Sequence, residues 1–147
     1  FSFDAVRIVH DGGKVFNTIV DTGQAEGGLV QGLGWLTMED VVYNDKGRLL
    51  ANMLSNYKIP DVYSIPETVE IEFLPDSPNP MGLLNSKAIG EPPFMYALGG
   101  YFALARAVEA FRRDRDPGDM WPEGALTFTA PFTPERVLLT LYPDYKQ

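Results

Sequence analysis

Glu91 is the residue of this sequence whose setting best suits acid–base chemistry. It lies in residues 87–94, where a glycine precedes the carboxylate and two prolines follow it before a long apolar run. Gly90 permits a close approach that a side chain would block. Proline is tolerated in the first turn of a helix, where its missing N–H has no intrahelical partner. The pattern predicts a carboxylate at the start of a helix, either as a proton acceptor in a dry pocket or as a simple partner of the helix dipole.

A second candidate for binding chemistry is the glycine-rich stretch of residues 21–36. Asp21 or Thr22 can cap a helix here, because apolar residues follow at helical spacing. Each glycine inside a helix costs about 1 kcal/mol relative to alanine. A helix with five glycines between positions 23 and 34 therefore needs close approach to a sheet, another helix or a ligand. The glycine spacing matches neither the dinucleotide fingerprint nor the P-loop, and we exclude both.

The bulk composition limits the classes of partner. The 147 residues carry a net charge of −8, which argues against nucleic acid and anionic membranes as partners. No apolar run reaches membrane-spanning length. The absence of cysteine excludes disulfides and thiolate-ligated metals within this chain, and it fits a reducing, cytoplasmic location. His10 is the only histidine, so we interpret it as a surface or satisfied side chain, and no residue is expected to ligate a metal.

The periodicity predicts an α/β (more closely α+β) fold, with residues 1–147 forming one domain. Residues 6–10 and 15–20 are β-branched runs around a glycine turn, which predicts a hairpin. Residues 41–43 and 49–51 flank an Asn-Asp-Lys-Gly turn and predict a second hairpin. The strands are therefore expected to be short and mainly antiparallel.

The second half of the chain gives the clearest periodicity. Residues 69–74 alternate between apolar and polar side chains, which predicts a half-buried strand, and residues 126–130 predict a last strand. Apolar residues recur at helical spacing over residues 94–111, which predicts a buried helix. Thr133 and the proline after it are typical of a helix start. Three helices are expected, at residues 24–38, 92–113 and 134–141.

Three motifs in order resemble a known family. They are Asp-x-Gly-Gln-x-x-Gly-x-x-x-Gln-Gly-Leu-Gly over residues 21–34, Tyr-Lys-Ile-Pro over residues 57–60, and Ser-Lys-Ala-Ile-Gly-Glu-Pro-Pro over residues 86–93. Together they resemble the molybdenum hydroxylases, the xanthine dehydrogenase and aldehyde oxidase family, which bind a molybdopterin cofactor. The resemblance covers essentially all of this chain but only the C-terminal part of the family's molybdopterin-binding subunit.

The resemblance implies a role for each matching residue. It places Glu91 beside molybdenum as the general base, which takes a proton from a metal-bound hydroxyl that attacks an electrophilic carbon of a heterocycle or aldehyde. Water is the source of the oxygen, and hydride passes to a sulfido ligand. Gln24 would donate a hydrogen bond to the cofactor. The implied cofactor contacts are Gly23, Gln24, Ser86, Lys87, Ala88 and Gly90.

The resemblance also implies partners. Iron–sulfur clusters and FAD are expected on partner domains or subunits, and an upstream molybdopterin-binding portion is expected to complete the site for a small-molecule substrate. The sequence does not begin with Met, so we expect residues before it, and the chain alone is not expected to turn over substrate. One alternative is a non-catalytic structural or assembly domain derived from the family. Another is a proline-rich interaction module, which is disfavoured because the prolines stand at element boundaries.

Overall fold

Two strands and three α-helices make up the regular structure in the computed structural model, which describes residues 1–115, 118 and 129–145. They are β1 (Ala5–His10), α1 (Thr18–Thr37), β2 (Thr68–Phe73), α2 (Ala97–Arg115) and α3 (Pro134–Leu141), with short 3₁₀ helices at Leu83–Asn85, Pro92–Tyr96 and Pro143–Tyr145. The predicted mixed α/β class and the three helices are confirmed. None of the helices in this part of the chain is long and apolar enough to span a bilayer.

The described residues form two compact units. The sheet unit consists of Ser2–Leu33 and Pro60–Leu98. The α3 unit consists of Phe1, Gly34–Ile59 and the described residues of Gly99–Gln147. All of the predicted site residues belong to the sheet unit.

The sheet of the sheet unit is parallel. β1 and β2 pair in register from Ala5 opposite Thr68 to His10 opposite Phe73. The predicted alternating strand is confirmed in β2, where half-buried side chains recur at every second position. The prediction of mainly antiparallel strands is wrong, since antiparallel pairing among the described residues is confined to isolated bridges. Alternation reveals which side chains face the core but not the direction of the partner strand.

The predicted hairpin of residues 6–10 and 15–20 does not form. The Asn17 side-chain oxygen accepts hydrogen bonds from two backbone N–H groups in the first turn of α1. This cap draws the β-branched run into the helix, which therefore begins earlier than predicted. The cap is Asn17 and not Asp21 or Thr22.

The second predicted hairpin is confirmed as a short turn in the α3 unit. One antiparallel bridge joins Tyr43 and Leu49. The Asn44 side-chain oxygen accepts hydrogen bonds from the backbone N–H groups of Lys46 and Arg48, which holds the turn closed.

α1 uses two of its glycines to pack against the segment that follows Glu91. A Cβ at Gly28 would lie 3.0 Å from the Pro93 Cβ, and a Cβ at Gly32 would collide with the Phe94 carbonyl oxygen. Pro93 and Leu29 are fully buried. The close approach predicted from the glycines is therefore to a neighbouring chain segment.

The helix predicted at residues 92–113 is present in two parts. Residues Pro92–Tyr96 form a 3₁₀ turn, and α2 continues from it to Arg115. Within the α3 unit, the buried side chains of α2 include Tyr101, Leu104 and Val108, as the helical spacing predicted. Phe111 belongs to the same apolar series but is exposed.

α3 begins where the sequence predicted. The Thr133 side chain accepts a hydrogen bond from the backbone N–H of Arg136, and proline occupies the first helical position. The Arg136 guanidinium donates to the Asp40 carboxylate at 3.1 Å. Of the predicted last strand, residues 126–128 lie outside the described residues, and Thr129 and Ala130 are not in a strand.

Candidate functional site

A cleft of about 580 Å³ opens at the Glu91 segment of the sheet unit. Its walls are largely apolar, and Glu91 is the one ionisable residue in its lining. The lining residues are Ala88, Ile89, Gly90, Glu91, Pro92 and Met95.

Glu91 stands at the start of a helix, as predicted, but its carboxylate does not cap that helix. Its backbone is the N-cap of the 3₁₀ turn Pro92–Tyr96, and its carbonyl accepts a hydrogen bond from the Phe94 N–H at 3.1 Å. The side chain makes no capping hydrogen bond and is exposed. The carboxylate oxygens are therefore directed to neither the helix end nor a dry pocket formed by this chain.

Gln24 lies next to Gly90, which is one of the residues that line the cleft. The Gln24 Oε1 lies 3.5 Å from the position that a Cβ on Gly90 would take. Gln24 is exposed, and its amide makes no hydrogen bond with the described residues. Since α1 begins at Thr18, Gln24 lies inside the helix and not beside the free N–H groups of its first turn.

Gly23 precedes Gln24 on α1 but contributes no contact of its own. A Cβ at Gly23 would meet nothing within 4 Å. Of the predicted cofactor contacts, the structure therefore brings Gln24, Ala88 and Gly90 together with Glu91, while Gly23 borders open space.

Ser86 and Lys87 lie behind the cleft and stabilise its loop. The Ser86 hydroxyl donates to the Leu83 carbonyl at 2.8 Å. The Lys87 ammonium forms an ion pair with Asp11 at 2.5 Å, and its backbone N–H donates to the Gly12 carbonyl at 3.0 Å. Neither residue lines the cleft.

The loop after β1 is bonded to the loop before Glu91. The Lys14 N–H donates to the Asn85 carbonyl at 3.0 Å, and Gly13 forms an antiparallel bridge with Ser86. Gly13 has a φ of +64°, and a Cβ there would lie 2.6 Å from the Asn85 carbonyl oxygen. Glycine is therefore required at this position by both conformation and space.

The ion pair behind the cleft changes the titration of Asp11. The hydrogen bond from the Lys87 ammonium, followed by one from the Ser77 hydroxyl, lowers the pKa of Asp11 from 3.8 to about 2. The pair is partly exposed, with 32% and 43% of the two side chains accessible. It therefore fixes the loop at the surface and does not enter the cleft.

His10 connects the sheet to the Glu91 segment. Its side chain is buried, its Nε2 lies 3.2 Å from the Ala88 carbonyl oxygen, and its Nδ1 lies 2.5 Å from the Tyr96 hydroxyl. Burial raises the pKa of Tyr96, and the negative charge of Asp11 raises it further. Because a carbonyl can only accept, we assign the proton to Nε2, so that the Tyr96 hydroxyl donates to Nδ1.

The interpretation of His10 as a satisfied side chain is confirmed, but its contact with the Glu91 segment was missed. A signal for it exists in the sequence. Ile8 and His10 are separated by two positions in β1, so they share one face of the strand, and both are buried. A histidine on the inward face of a strand requires polar partners.

The cleft fits the organic part of a cofactor that brings its own metal ligands. Among the described residues, no group of three or more His, Cys, Asp or Glu side chains could hold a metal ion. Glu91 is the one ionisable side chain in the lining of the cleft, and the exposed Gln24 amide lies next to Gly90. The rest of the lining is apolar, and Gly90 adds no side chain to it. A molybdopterin would fit such a site, because it needs no metal ligand from the protein.

Comparisons with known proteins agree with this chemistry. Residues 1–66 match the family model of a molybdopterin cofactor-binding domain. Xanthine dehydrogenase 1 of Arabidopsis thaliana is 34% identical over 152 residues, which covers 99% of this chain and 11% of that protein. Aldehyde oxidase 2 of Rattus norvegicus is 39% identical over 130 residues, which covers 88% of this chain and 9% of that protein.

A solved structure shares the fold. The crystal structure of quinoline 2-oxidoreductase from Pseudomonas putida 86 aligns with a TM-score of 0.70 and 28% identity, over 92% of this chain and 16% of that chain. The chain spans about a tenth of the length of the curated relatives it matches.

Proposed function

Because the chain belongs to the molybdenum hydroxylase family, which includes the xanthine dehydrogenases and aldehyde oxidases, we propose that it supplies the general base of such an enzyme. Residues 1–147 form the C-terminal part of the molybdopterin-binding region, Glu91 is the base, and Gln24 contacts the cofactor. The reaction is hydroxylation of a heterocycle or an aldehyde with water as the source of oxygen. An upstream molybdopterin-binding portion, iron–sulfur clusters and FAD belong to other parts of the enzyme.

The observation that carries this proposal is that the Glu91 carboxylate makes no hydrogen bond with the described residues. A glutamate that merely complements a helix start would direct its oxygens to the N–H groups there, whereas this side chain makes no such bond. Its backbone is held in place because Pro92 has a restricted φ and Pro93 is fully buried against α1. With its backbone fixed and its carboxylate not used as a cap, Glu91 is available to accept a proton.

The residues of this chain divide the work of the reaction. When bound, the molybdenum cofactor supplies the redox chemistry that removes electrons from the substrate. The Gln24 amide, which lies next to Gly90, holds the organic part of the cofactor. Ser86 and Lys87 fix the loop from behind. A Glu91 carboxylate oxygen accepts the proton that the water-derived nucleophile loses as it attacks the substrate carbon.

The test is single-turnover reduction of the metal centre by substrate in the assembled Glu91→Gln enzyme. Glutamine keeps the shape of the side chain but cannot accept the proton, so we expect the rate to fall by about 10²–10⁴-fold. Molybdenum content should stay unchanged. Glu135→Gln is the matched control, since Glu135 lies in the first turn of α3 and the same substitution there should leave the rate unchanged.

The helix-dipole interpretation of Glu91 makes a different forecast. It predicts near-normal reduction and a loss of about 0.3–1 kcal/mol of stability. That result, with full cofactor content, would remove Glu91 from the catalytic machinery.

The competing candidate is a non-catalytic assembly domain of the same family. The solvent exposure of Glu91 and Gln24 in this chain favours it. It predicts that the assembled protein contains no molybdenum at all, which elemental analysis decides before any kinetic measurement.

A further inference from the structure

We infer that His10 and Tyr96 are positioning residues for Glu91, an inference that rests on the proposed function. The His10 ring contacts residues on both sides of Glu91 in the chain. It reaches the Ala88 carbonyl before Glu91 and the Tyr96 hydroxyl after it. We call this pair of hydrogen bonds the His10 clamp.

The His10 clamp starts from a fixed point. His10 is the last residue of β1, pairs with Phe73 of β2, and accepts a hydrogen bond from the Leu74 N–H at its carbonyl. Its side chain is 3% exposed. Its ring packs edge-on against the rings of Phe73 and Tyr96, with centroid distances of 6.0 and 5.8 Å. The imidazole is therefore anchored to the sheet and has little freedom to move.

The segment that the clamp holds has little regular structure of its own. Residues 87–90 form no helix or strand, and Glu91 follows them directly. The 3₁₀ turn after Glu91 holds its far side, and Tyr96 is the last residue of that turn. Catalytic groups must stay within about 0.5 Å of their productive position, which a segment without regular hydrogen bonds does not secure alone.

The two bonds of the clamp are chemically distinct. Nε2 donates to the Ala88 carbonyl, and Nδ1 accepts from the Tyr96 hydroxyl. Glutamine at position 10 can place an amide N–H near the position of Nε2, but it offers nothing at Nδ1. His10→Gln and Tyr96→Phe therefore remove the same bond, whereas His10→Leu removes both bonds.

The experiment uses the assembled enzyme carrying Tyr96→Phe, His10→Gln, their combination, or His10→Leu. We expect kcat to fall about tenfold in Tyr96→Phe and in His10→Gln, with KM and molybdenum content unchanged. This is the smaller effect expected when a residue that orients a functional group is lost. The kcat of the double variant should be no lower than that of His10→Gln, since both substitutions remove the same hydrogen bond. The kcat of His10→Leu should fall further, because both hydrogen bonds are removed. If His10→Leu does not fold, Tyr96→Phe still tests the inference.

The second readout does not depend on activity. Amide hydrogen exchange over residues 87–91 should become faster in the Tyr96→Phe and His10→Gln enzymes. Tyr101→Phe is the matched control. The Tyr101 hydroxyl donates to the Thr129 carbonyl at 3.1 Å, in the α3 unit, so its loss should change neither kcat nor exchange in residues 87–91.

The outcomes separate this inference from the proposed function. Unchanged kcat and unchanged exchange in Tyr96→Phe and His10→Gln, beside a collapsed rate in Glu91→Gln, would overturn the clamp and leave the base in place. A fall in molybdenum content at unchanged kcat per metal would also overturn it, since the clamp would then serve the cofactor. A normal rate in Glu91→Gln would overturn the proposed function instead.

Discussion

Asp11 shows how a residue outside the cleft can stabilise its loop. Its carboxylate is paired with Lys87, whose backbone N–H is bonded to the Gly12 carbonyl. Both contacts tie the loop after β1 to the chain that leads to Glu91. The ion pair requires Asp11 to be ionised, so this contact responds to pH, whereas the backbone hydrogen bond does not.

We predict that Asp11 stabilises the folded chain only above acidic pH. Its pKa is about 2 when folded, below the ordinary 3.8, so folding favours the deprotonated form. The contribution is complete above pH 3.8 and is lost as the pH falls towards 2. Asp11→Asn should therefore flatten the decline in melting temperature over this interval, measured by thermal unfolding against the parent chain.

Removal of the partner provides the control. Lys87→Met removes the largest cause of the lowered Asp11 pKa. The melting temperature of this variant should therefore also fall less steeply between pH 3.8 and 2. If the melting temperature of Asp11→Asn falls between pH 3.8 and 2 as steeply as that of the parent chain, the ion pair does not hold in solution.

At the level of elements, the packing of α1 rests on the contrast between its glycines. Gly32 faces the backbone of Phe94, where an added Cβ would collide with the carbonyl oxygen. Gly27 lies in the same helix, but a Cβ there would meet nothing within 4 Å. The first glycine is needed for close approach, and the second only lowers the stability of the helix.

We predict opposite effects from the same substitution at these two positions. Gly32→Ala should destabilise the protein by about 1–3 kcal/mol, because the segment that carries Glu91 must shift. Gly27→Ala should stabilise it by about 0.5–1 kcal/mol through helix propensity. Chemical unfolding of the two variants measures both. Equal effects in the same direction would show that propensity alone governs this helix.

The sequence predicted those features that depend on neighbours along the chain. The cap at Thr133 and the helical period of α2 act within a few residues, and both are confirmed. The run at residues 15–20 has strand propensity, but the Asn17 cap placed it in a helix. Whether β1 pairs with a near or a distant strand depends on tertiary packing, which alternation does not encode.

The site was predicted in part for the same reason. Gln24 and Gly90 were named from a motif, and the structure brings them together. The contact of His10 with Ala88 joins positions 78 residues apart, and neither residue has a local pattern that indicates the other. The one local signal is that His10 lies on the buried face of β1, where a histidine needs polar partners.

At the level of the whole molecule, the surface of the sheet unit carries large apolar side chains beside the site. Met81 and Leu83, in the loop before the cleft, are 96% and 83% exposed. Exposed apolar groups of this kind mark surfaces that are covered in an assembly. We expect the rest of the enzyme to cover these two side chains.

We predict that this chain alone does not retain the cofactor. The Gln24 amide and the Glu91 carboxylate are both exposed, and the described residues offer no metal-ligating cluster. After gel filtration, elemental analysis should find molybdenum in the protein co-produced with its upstream portion but not in the isolated chain. Stoichiometric molybdenum in the isolated monomer would contradict this.

The parallel pairing of β1 with β2 also bears on when the cleft can form during synthesis. The His10 side chain cannot bond to Tyr96 until that residue, 86 positions later, has been synthesised. Until then, the glycine face of α1 has nothing to pack against. The cleft can therefore be completed only after the chain has been made as far as Tyr96, and closing a loop of this length adds an entropic cost to its formation.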